Sequence, residues 1–322
     1  MRAIQVREHG GPEVLKLAEL DPPKPGATDL VVDVAAAGVN YIDTYHRSGL
    51  YPTKPPFVPG MEGAGTVRAV GADVTEFAVG DRVAWGTSPA SYAEQVVVAE
   101  RQVVAVPDGV DDQTAAAAML QGMTAQYLLK STYPVKAGET VLVHAAAGGV
   151  GLLLTQWAKT LGARVIGTVS TPAKEELARA AGADEIIRYT EKDVADEVRR
   201  LTDGVGVHVV YDGVGKDTFD ASLASLRPRG MLVLFGASSG PVQPFDLQRL
   251  NSGGSLFTTR PTLAHHTADR AELVWRAGDV FDEVTAGRLT IRVGHTYPLA
   301  DASRSHEDLQ ARRTTGKLLL LP

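Results

Sequence analysis

"VLVHAAAGGVG", residues 141–151, passes from an apolar run through three alanines into three glycines within four positions. Glycine weakens strands and helices alike, so such crowding marks a place where something must come close to the backbone. A helix follows by its spacing. Val150, Leu153, Leu154, Trp157, Ala158 and Leu161 fall at i, i+3, i+4, i+7, i+8 and i+11, a single face. Gly162 stands where a C-terminal cap is expected. The glycines therefore lie between a strand and a helix N-terminus, where unpaired N–H groups and the helix dipole attract a phosphate. Ala145, Gly148 and Gly151 set the spacing A-x-x-G-x-x-G, a variant of the dinucleotide-binding G-x-G-x-x-G. A tight turn with no ligand is the other reading of the glycines alone.

The flanking sequence weighs against that other reading. From about 124 to 262 apolar strands alternate with helical segments: "TVLVHA" then 150–161, "RVIGTVS" then 173–181, "EIIRY" then 193–201, "VHVVYD" then 217–226, then "MLVLFG" and "SLFTT". Alternation of this kind predicts a parallel, doubly wound sheet, an α/β Rossmann arrangement. The first 120 residues read differently, as short strands broken by Gly and Pro ("AIQV", "LVVDVAAAGV", "GAGTVRAV", "DRVAW", "EQVVVA", "QVVAVP"), which suggests a small barrel or sandwich. The tail reads as irregular, with a short helix near 301–311 and a last strand in "KLLLLP". A chain of 322 residues is itself long enough for two domains.

Composition bounds the function. Hydrophobic residues make up 44% and charged residues 22%, and mean hydropathy is −0.04, as in ordinary globular proteins. The net charge of −6 argues against nucleic acid or an anionic membrane as the main partner. There is no cysteine, so disulfides, thiolate zinc sites and a Cys nucleophile are excluded; a reducing cytoplasm is the expected setting. "MRAIQVREHGGPEVLKL" carries charges throughout and has no apolar core, so it does not read as a signal peptide. No stretch reaches the roughly 18 apolar residues of a spanning helix, and the chain reads as soluble.

The second strand of the α/β segment selects the cofactor. NAD sites place an Asp or Glu at its end for the ribose 2′-hydroxyl. In "RVIGTVSTPAK" no carboxylate lies between Arg164 and Lys174; Thr168, Ser170, Thr171 and Lys174 stand there instead. Hydroxyls and a cation suit a 2′-phosphate, so the expectation is NADPH; a solvated helix-start lysine is the other reading of Lys174 alone. Residues at the carboxyl ends of parallel strands should line the nucleotide site. These are Gly149 and Val150 after the first strand and Thr168 after the second. Gly213 and Val214 follow the fourth, and Phe235, Gly236 and Ser238 the fifth, with Arg260 in "TTRP".

"GETVLVHAAAGGVGLLLTQWAK" (138–159), with "VPGMEGAGTV" (58–67), "VGDRV" (79–83) and "GVNYIDTYHRSGLY" (38–51), resembles the zinc-independent quinone oxidoreductases of the medium-chain dehydrogenase/reductase superfamily. The likeness covers essentially the whole chain. It implies a GroES-like β-barrel catalytic domain of residues 1–124 and 263–322, a Rossmann NADPH-binding domain of 125–262, and an active site in the cleft. It also implies a 2′-phosphate site of a Lys, a Tyr and an Arg. Lys174 matches the first, Tyr189 in "IIRYTEKD" the second, and Arg312 the third, with Arg313 adjacent. Zinc-dependent relatives have a Cys where this chain has Asn40 and a His where it has Met61, and neither replacement is a good Zn²⁺ ligand. The adjacent His265 and His266 are not expected to bind metal, so no metal site is predicted.

Without a Lewis acid, deprotonating an alcohol is difficult, so the expected reaction is reduction of an electrophilic acceptor, a quinone or an enone. Asn40 and Tyr51 are the candidate catalytic residues, Asn40 also for the nicotinamide ribose. Tyr45 is a further candidate, and Thr124 a candidate on the nicotinamide side. A structural Asn in a turn and a Tyr at a loop edge are the plain readings of the first two. His46 and Arg47 are given no acid–base role. An NADPH-dependent enone or alkenal reductase shares every feature, and the resemblance also admits an NADPH-binding sensor, a crystallin-like protein or an RNA-binding protein. By the same likeness "GSLFTT" is expected to pair with its copy in a homodimer, since an open apolar edge strand invites association.

Overall fold

The computed structural model describes residues 1–322 and divides into two compact units. The first comprises Met1–Met123, His266–Gly287 and Ile291–Pro322; the second comprises Thr124–His265 and Arg288–Thr290. The main breaks fall at 123/124 and 265/266.

In the first unit a two-stranded ladder pairs β1 (Arg2–Gln5) with β2 (Lys16–Glu19). The larger sheet contains β3 (Asp29–Val39), β4 (Glu62–Val70), β5 (Arg82–Trp85), β6 (Gln95–Ala99) and β7 (Val104–Ala105). The chain's last two strands, Val293–Pro298 and Lys317–Leu321, also join it. β3 pairs with β4 along its length, with β6 at its start and with Lys317–Leu321 at its end. Two register breaks in the β3–β4 ladder, Val31/Val32 and Val34/Ala36, bend the strand, as bulges do. The sheet thereby curls around one core of Ile4, Leu30, Val32, Val67, Trp85, Tyr92, Leu318 and Leu320. The barrel character read from short, broken strands follows from that curl. The helix α1 (Tyr41–Ser48) leaves the end of β3, and Gly49 stops it at φ 78°.

Two long helices were not foreseen. α2 (Asp112–Tyr127) contains "TAAAAML", which is apolar on all sides, and Ala115–Met119 are buried without exposure, so no polar stripe marks the helical period. In the tail, expected to be irregular, residues 270–285 form a helix capped by Asp269, whose carboxylate accepts from the N–H groups of Ala271 and Glu272. It buries Leu273, Ala277, Val280 and Phe281, while exposed Val274 and Trp275 and the internal Gly278 blur the pattern. A shorter helix, Ala302–Gln310, lies where the tail helix was expected.

The second unit carries β8 (Thr140–Val143), β9 (Arg164–Val169), β10 (Glu185–Arg188), β11 (Val207–Asp212), β12 (Leu226–Leu234) and β13 (Phe257–Thr259). Their order is β10-β9-β8-β11-β12-β13, and every pairing is parallel. α3 (Gly149–Thr160), α4 (Pro172–Ala180), α5 (Val194–Leu201) and α6 (Phe219–Ala224) alternate with these strands. Parallel pairing requires such crossovers, and their apolar faces close over Leu142, Ile166, Val210, Leu226 and Leu232. Strand order reverses between β8 and β11, which makes the loops after these two strands the switch point of the sheet, where ligands of such folds bind. No helix is long and apolar enough to cross a membrane.

Candidate active site

The glycine turn is built for close approach. Ala145 takes a left-handed conformation, φ 51°, directly after β8 and His144. Its carbonyl accepts from the Gly148 N–H at 2.8 Å, and Gly148 caps α3 in an extended conformation. Gly149, Val150 and Gly151 form the first helical turn, whose N–H groups have no partner inside the helix. A Cβ on Gly151 would run into the Ala145 carbonyl oxygen, so only glycine lets the helix start this close to the strand. A diphosphate seated on this turn would meet the backbone N–H groups of Gly149, Val150 and Gly151, so the turn fits a dinucleotide.

Around it the end of β9 carries no carboxylate. Thr171 caps α4 by accepting from the Lys174 N–H, which fixes where the lysine leaves the helix start. Ser170 precedes it, and its carbonyl accepts from the Thr190 hydroxyl. Tyr189 follows β10, is 40% exposed, and donates its N–H to the Val169 carbonyl, which brings Tyr189 beside the end of β9. Thr168 departs from expectation: it is the penultimate residue of β9, only 1% exposed, and its hydroxyl is turned beneath the glycine turn toward His144 Nδ1 and the Ala145 N–H. It supports the turn and offers nothing to a phosphate. After β11, Gly213 and Gly236 pack backbone to backbone: a Cβ on Gly213 would meet the Phe235 ring at 2.9 Å, and one on Gly236 would strike Gly213. The Ser238 N–H donates to the Gly213 carbonyl, and the Val214 N–H donates to Asp212 Oδ1 at 2.8 Å. Arg260 reaches back to the Leu234 carbonyl at the end of β12. Thr124 is buried within α2.

In the first unit, α1 presents Tyr41 and Tyr45 one turn apart, ring centroids 5.9 Å apart, and the Tyr51 ring packs against Tyr45 at a tilt of 55°, centroids 5.1 Å apart. The Tyr51 N–H donates to the Tyr45 carbonyl, so the two rings are placed as a pair. His46, half-buried, lies 6.0 Å from Tyr51.

Asn40 has a different occupation from the one expected. It is 3% exposed, and its amide is spent on protein partners: Nδ2 donates to Glu62 Oε2 at 2.7 Å, and Oδ1 accepts from Lys317 Nζ at 2.8 Å and Gln121 Nε2 at 3.4 Å. Direct contact of this amide with a nicotinamide or an acceptor would break that set, so its place is in support of α1. Lys317 and Glu62 form an ion pair at 1% and 0% exposure, and Glu62 Oε1 also accepts from the Leu120 N–H at 2.6 Å. Sequence reasoning missed this pair; its signal is a lysine opening the apolar run "KLLLLP" and a glutamate among glycines in "GMEGAG".

A second buried chain adjoins the first. Asp43 Oδ2 accepts from the Asn40 N–H and from the Tyr92 hydroxyl, while Oδ1 is buried with no partner. Burial outweighs these donors and lifts the Asp43 carboxyl to about 7. Tyr92 also meets His306 Nε2 at 3.0 Å, and His306 Nδ1 faces Arg47 at 3.0 Å. Since guanidinium only donates, Nδ1 is the acceptor and Nε2 carries the proton. Burial, then Arg47, holds His306 down at about 3. Arg47, 2% exposed, is thus a clamp between α1 and the Ala302–Gln310 helix, with no acid–base role.

Of the two C-terminal arginines, Arg313 holds Asp308 at 2.7 Å, and Arg312 is exposed at φ 58°; burial raises the Tyr41 phenol above its ordinary range, and the Arg312 charge only partly opposes that rise.

Residues 149–268 match the sequence model of the family described as zinc-binding dehydrogenase, and residues 26–108 match that of the alcohol dehydrogenase GroES-like domain. The chain is thereby a two-domain dehydrogenase-type protein of the medium-chain class. It is 50% identical to a quinone oxidoreductase of Pseudomonas aeruginosa, over 100% of this chain and 99% of that one. Among solved structures, a mycobacterial protein complexed with NADPH has a TM-score of 0.97 at 53% identity, and an Escherichia coli quinone oxidoreductase complexed with NADPH has 0.98 at 42% identity. Both comparisons cover the full length of each chain. The chain belongs to the quinone oxidoreductase family of this class.

The zinc in the family description does not fit these residues. The sequence has no cysteine, no group of three or more metal-ligating side chains is assembled, and the Asn40–Glu62 site is filled by the Lys317 ammonium.

Proposed function

We propose that this chain is an NADPH-dependent quinone oxidoreductase that works without zinc. The observation that carries the reading is the Ala145–Gly151 turn at the switch point, next to a β9 end that has hydroxyls and Lys174 but no carboxylate. Relatives named quinone oxidoreductase at 44–50% identity, and neighbours solved with NADPH, support the same cofactor and acceptor.

NADPH, when bound, supplies the hydride; the protein supplies binding, orientation and exclusion of water. The first turn of α3 binds the diphosphate, with Gly149, Val150 and Gly151 donating backbone N–H groups, while Gly148 and Ala145 shape the turn. Lys174, Tyr189 and Ser170 hold the 2′-phosphate. Gly213, Val214, Phe235, Gly236, Ser238 and Arg260 line the nicotinamide half, and Thr124 serves the same end. Tyr51, backed by Tyr45, receives the acceptor: a phenol over a flat ring can stack and donate to its oxygen. Asn40 acts through α1, holding the segment that carries these tyrosines by means of Glu62 and Lys317. The reduced acceptor takes its protons from solvent, as no side chain on this face is shown as an acid.

The protein is further proposed to be a cytoplasmic homodimer. β13 is the open edge of its sheet, with Phe257 55% exposed, and pairing with a second copy would cover it.

The test is initial-rate oxidation of NADPH and NADH with 1,4-naphthoquinone and with a 2-alkenal. The proposal expects quinone turnover that prefers NADPH. Turnover of the alkenal alone would reassign the enzyme to enone reduction, and binding without turnover of either acceptor would make it a binding protein.

A further inference from the structure

His144, between β8 and the glycine turn, is 2% exposed and touches neither the turn's outer face nor solvent. Its two ring nitrogens face different elements, β9 and α6. Nδ1 lies 3.0 Å from Thr168 Oγ1, and Nε2 lies 3.0 Å from Ser222 Oγ. Beyond Ser222 is Asp212, the last residue of β11, at 2.8 Å from the Ser222 hydroxyl. Asp212 Oδ1 accepts from the Val214 and Gly215 N–H groups at 2.8 and 3.0 Å, and the Thr218 hydroxyl donates to the carboxylate at 2.7 Å.

The donors in this chain can be ordered from its acidic end. A carboxylate only accepts, so the Ser222 proton points at Asp212. Ser222 Oγ must then accept from His144, which places the ring proton on Nε2. Nδ1 keeps its lone pair and accepts the Thr168 hydroxyl proton. Thr168 Oγ1 is thereby left to accept from the Ala145 N–H, at 3.3 Å. Each hydroxyl gives one bond and takes one. Burial holds the imidazole below its ordinary range against the pull of Asp212, consistent with a neutral ring.

The two ends of the chain are the two loops at the switch point. One end fixes Ala145, the left-handed residue on whose carbonyl the glycine turn folds. The other fixes the Gly213–Gly215 turn, which is tied by backbone hydrogen bonds to Phe235–Gly240: Phe235 N–H to the Asp212 carbonyl, and Ser239 N–H to the Val214 carbonyl. β8 and β11 are neighbours in the sheet, but their loops share no other side-chain bond than this one through the imidazole.

We propose that His144 is a positioning residue that sets the spacing between the diphosphate-binding turn after β8 and the nicotinamide-side turn after β11, through one directional hydrogen-bond relay from Ala145 to Asp212. The inference rests on the reading of these turns as the NADPH site. A dinucleotide must engage both turns at once, and a relay that fixes their separation in the free protein spares that ordering on binding.

The imidazole can be divided into halves. Asn at 144 places an acceptor near the Nδ1 position and keeps the Thr168 bond; Gln places a donor near Nε2 and keeps the Ser222 bond. The experiment measures Kd for NADPH and for NADH by quenching of protein fluorescence, together with KM for 1,4-naphthoquinone, kcat and Tm, for wild type, His144→Asn, His144→Gln and Ser222→Ala. The expected result is that Kd rises about tenfold in both His144 variants, the worth of one lost buried hydrogen bond. The factor is the same for NADPH and NADH, because both share the diphosphate and nicotinamide, and the quinone KM stays level. Ser222→Ala, which leaves His144 in place and cuts one link, keeps the test open if a His144 variant does not fold, and is expected to raise both Kd values in the same ratio. A fall in Tm with Kd unchanged in the folded variants would overturn the proposal and leave His144 a core residue. Absence of NADPH binding by wild type would instead overturn the reading of the site on which the proposal rests.

Discussion

Lys317→Met should be among the most destabilising single substitutions in the barrel-type unit. The ammonium is 1% exposed, and its partner Glu62 is fully buried. Removing one member of a buried pair strands the other charge, which costs about 3–5 kcal/mol. Here Glu62 retains two donors, the Leu120 N–H at 2.6 Å and Asn40 Nδ2 at 2.7 Å, so the lower end, about 3 kcal/mol, is expected. That is a large share of the roughly 5–15 kcal/mol that holds a domain folded. An exposed pair such as Arg2–Glu94 should be worth about 0–1 kcal/mol on the same scale. The assay is urea unfolding near neutral pH, with the midpoint and slope compared between variants. Glu62→Gln in the same chain removes the stranded charge and should recover most of the loss. The argument is refuted if Lys317→Met alone costs under about 1 kcal/mol, or if the added Glu62→Gln makes matters worse by the full cost of a second lesion.

Other consequences are equally direct. Lys174→Ala should raise the KM for NADPH about tenfold or more while barely moving that for NADH, since a charge-assisted contact to phosphate is lost in one case only; equal effects would remove Lys174 from the phosphate site. Gly151→Ala should abolish NADPH binding or raise its Kd strongly, because the new Cβ meets the Ala145 carbonyl and pushes α3 off the strand; calorimetric titration reads this, and an unchanged Kd would contradict the close-approach argument. Asp43 carries a pH signature. Its carboxyl moves from 3.8 to about 7 on folding, so between those values the native state binds more protons than the unfolded chain, and stability falls as pH rises. The loss is complete above about 7 and amounts to at most about 4 kcal/mol. Asp43→Asn should therefore be more stable than wild type in alkaline buffer and similar to it in mild acid, by denaturant midpoints; an equal loss at both pH values would refute the assignment.

The second unit was largely legible from sequence because its signals are local. A glycine between strand and helix, a run of Val150, Leu153, Leu154 and Trp157 at helical spacing, and a missing carboxylate before Lys174 can all be read in one pass. The polar contacts that hold the sites together were not, since they join residues far apart in the chain. Asn40 meets Lys317 across 277 positions, and Arg47 meets His306 across 259. Thr168 lies inside its strand rather than after it, and the side to which its hydroxyl turns depends on His144, which follows the neighbouring strand. The helices 112–127 and 270–285 escaped for opposite reasons: one is apolar all round, and the other exposes Val274 and Trp275 beside its buried face.

The most direct test of the central claim is a single-turnover experiment: protein saturated with NADPH is mixed, without oxygen, with excess 1,4-naphthoquinone, and both reactants are followed. The account predicts that bound NADPH is consumed and hydroquinone appears mole for mole, with no added metal and no loss of rate under a chelator. NADPH that stays reduced while bound, or turnover that depends on added Zn²⁺, would contradict it.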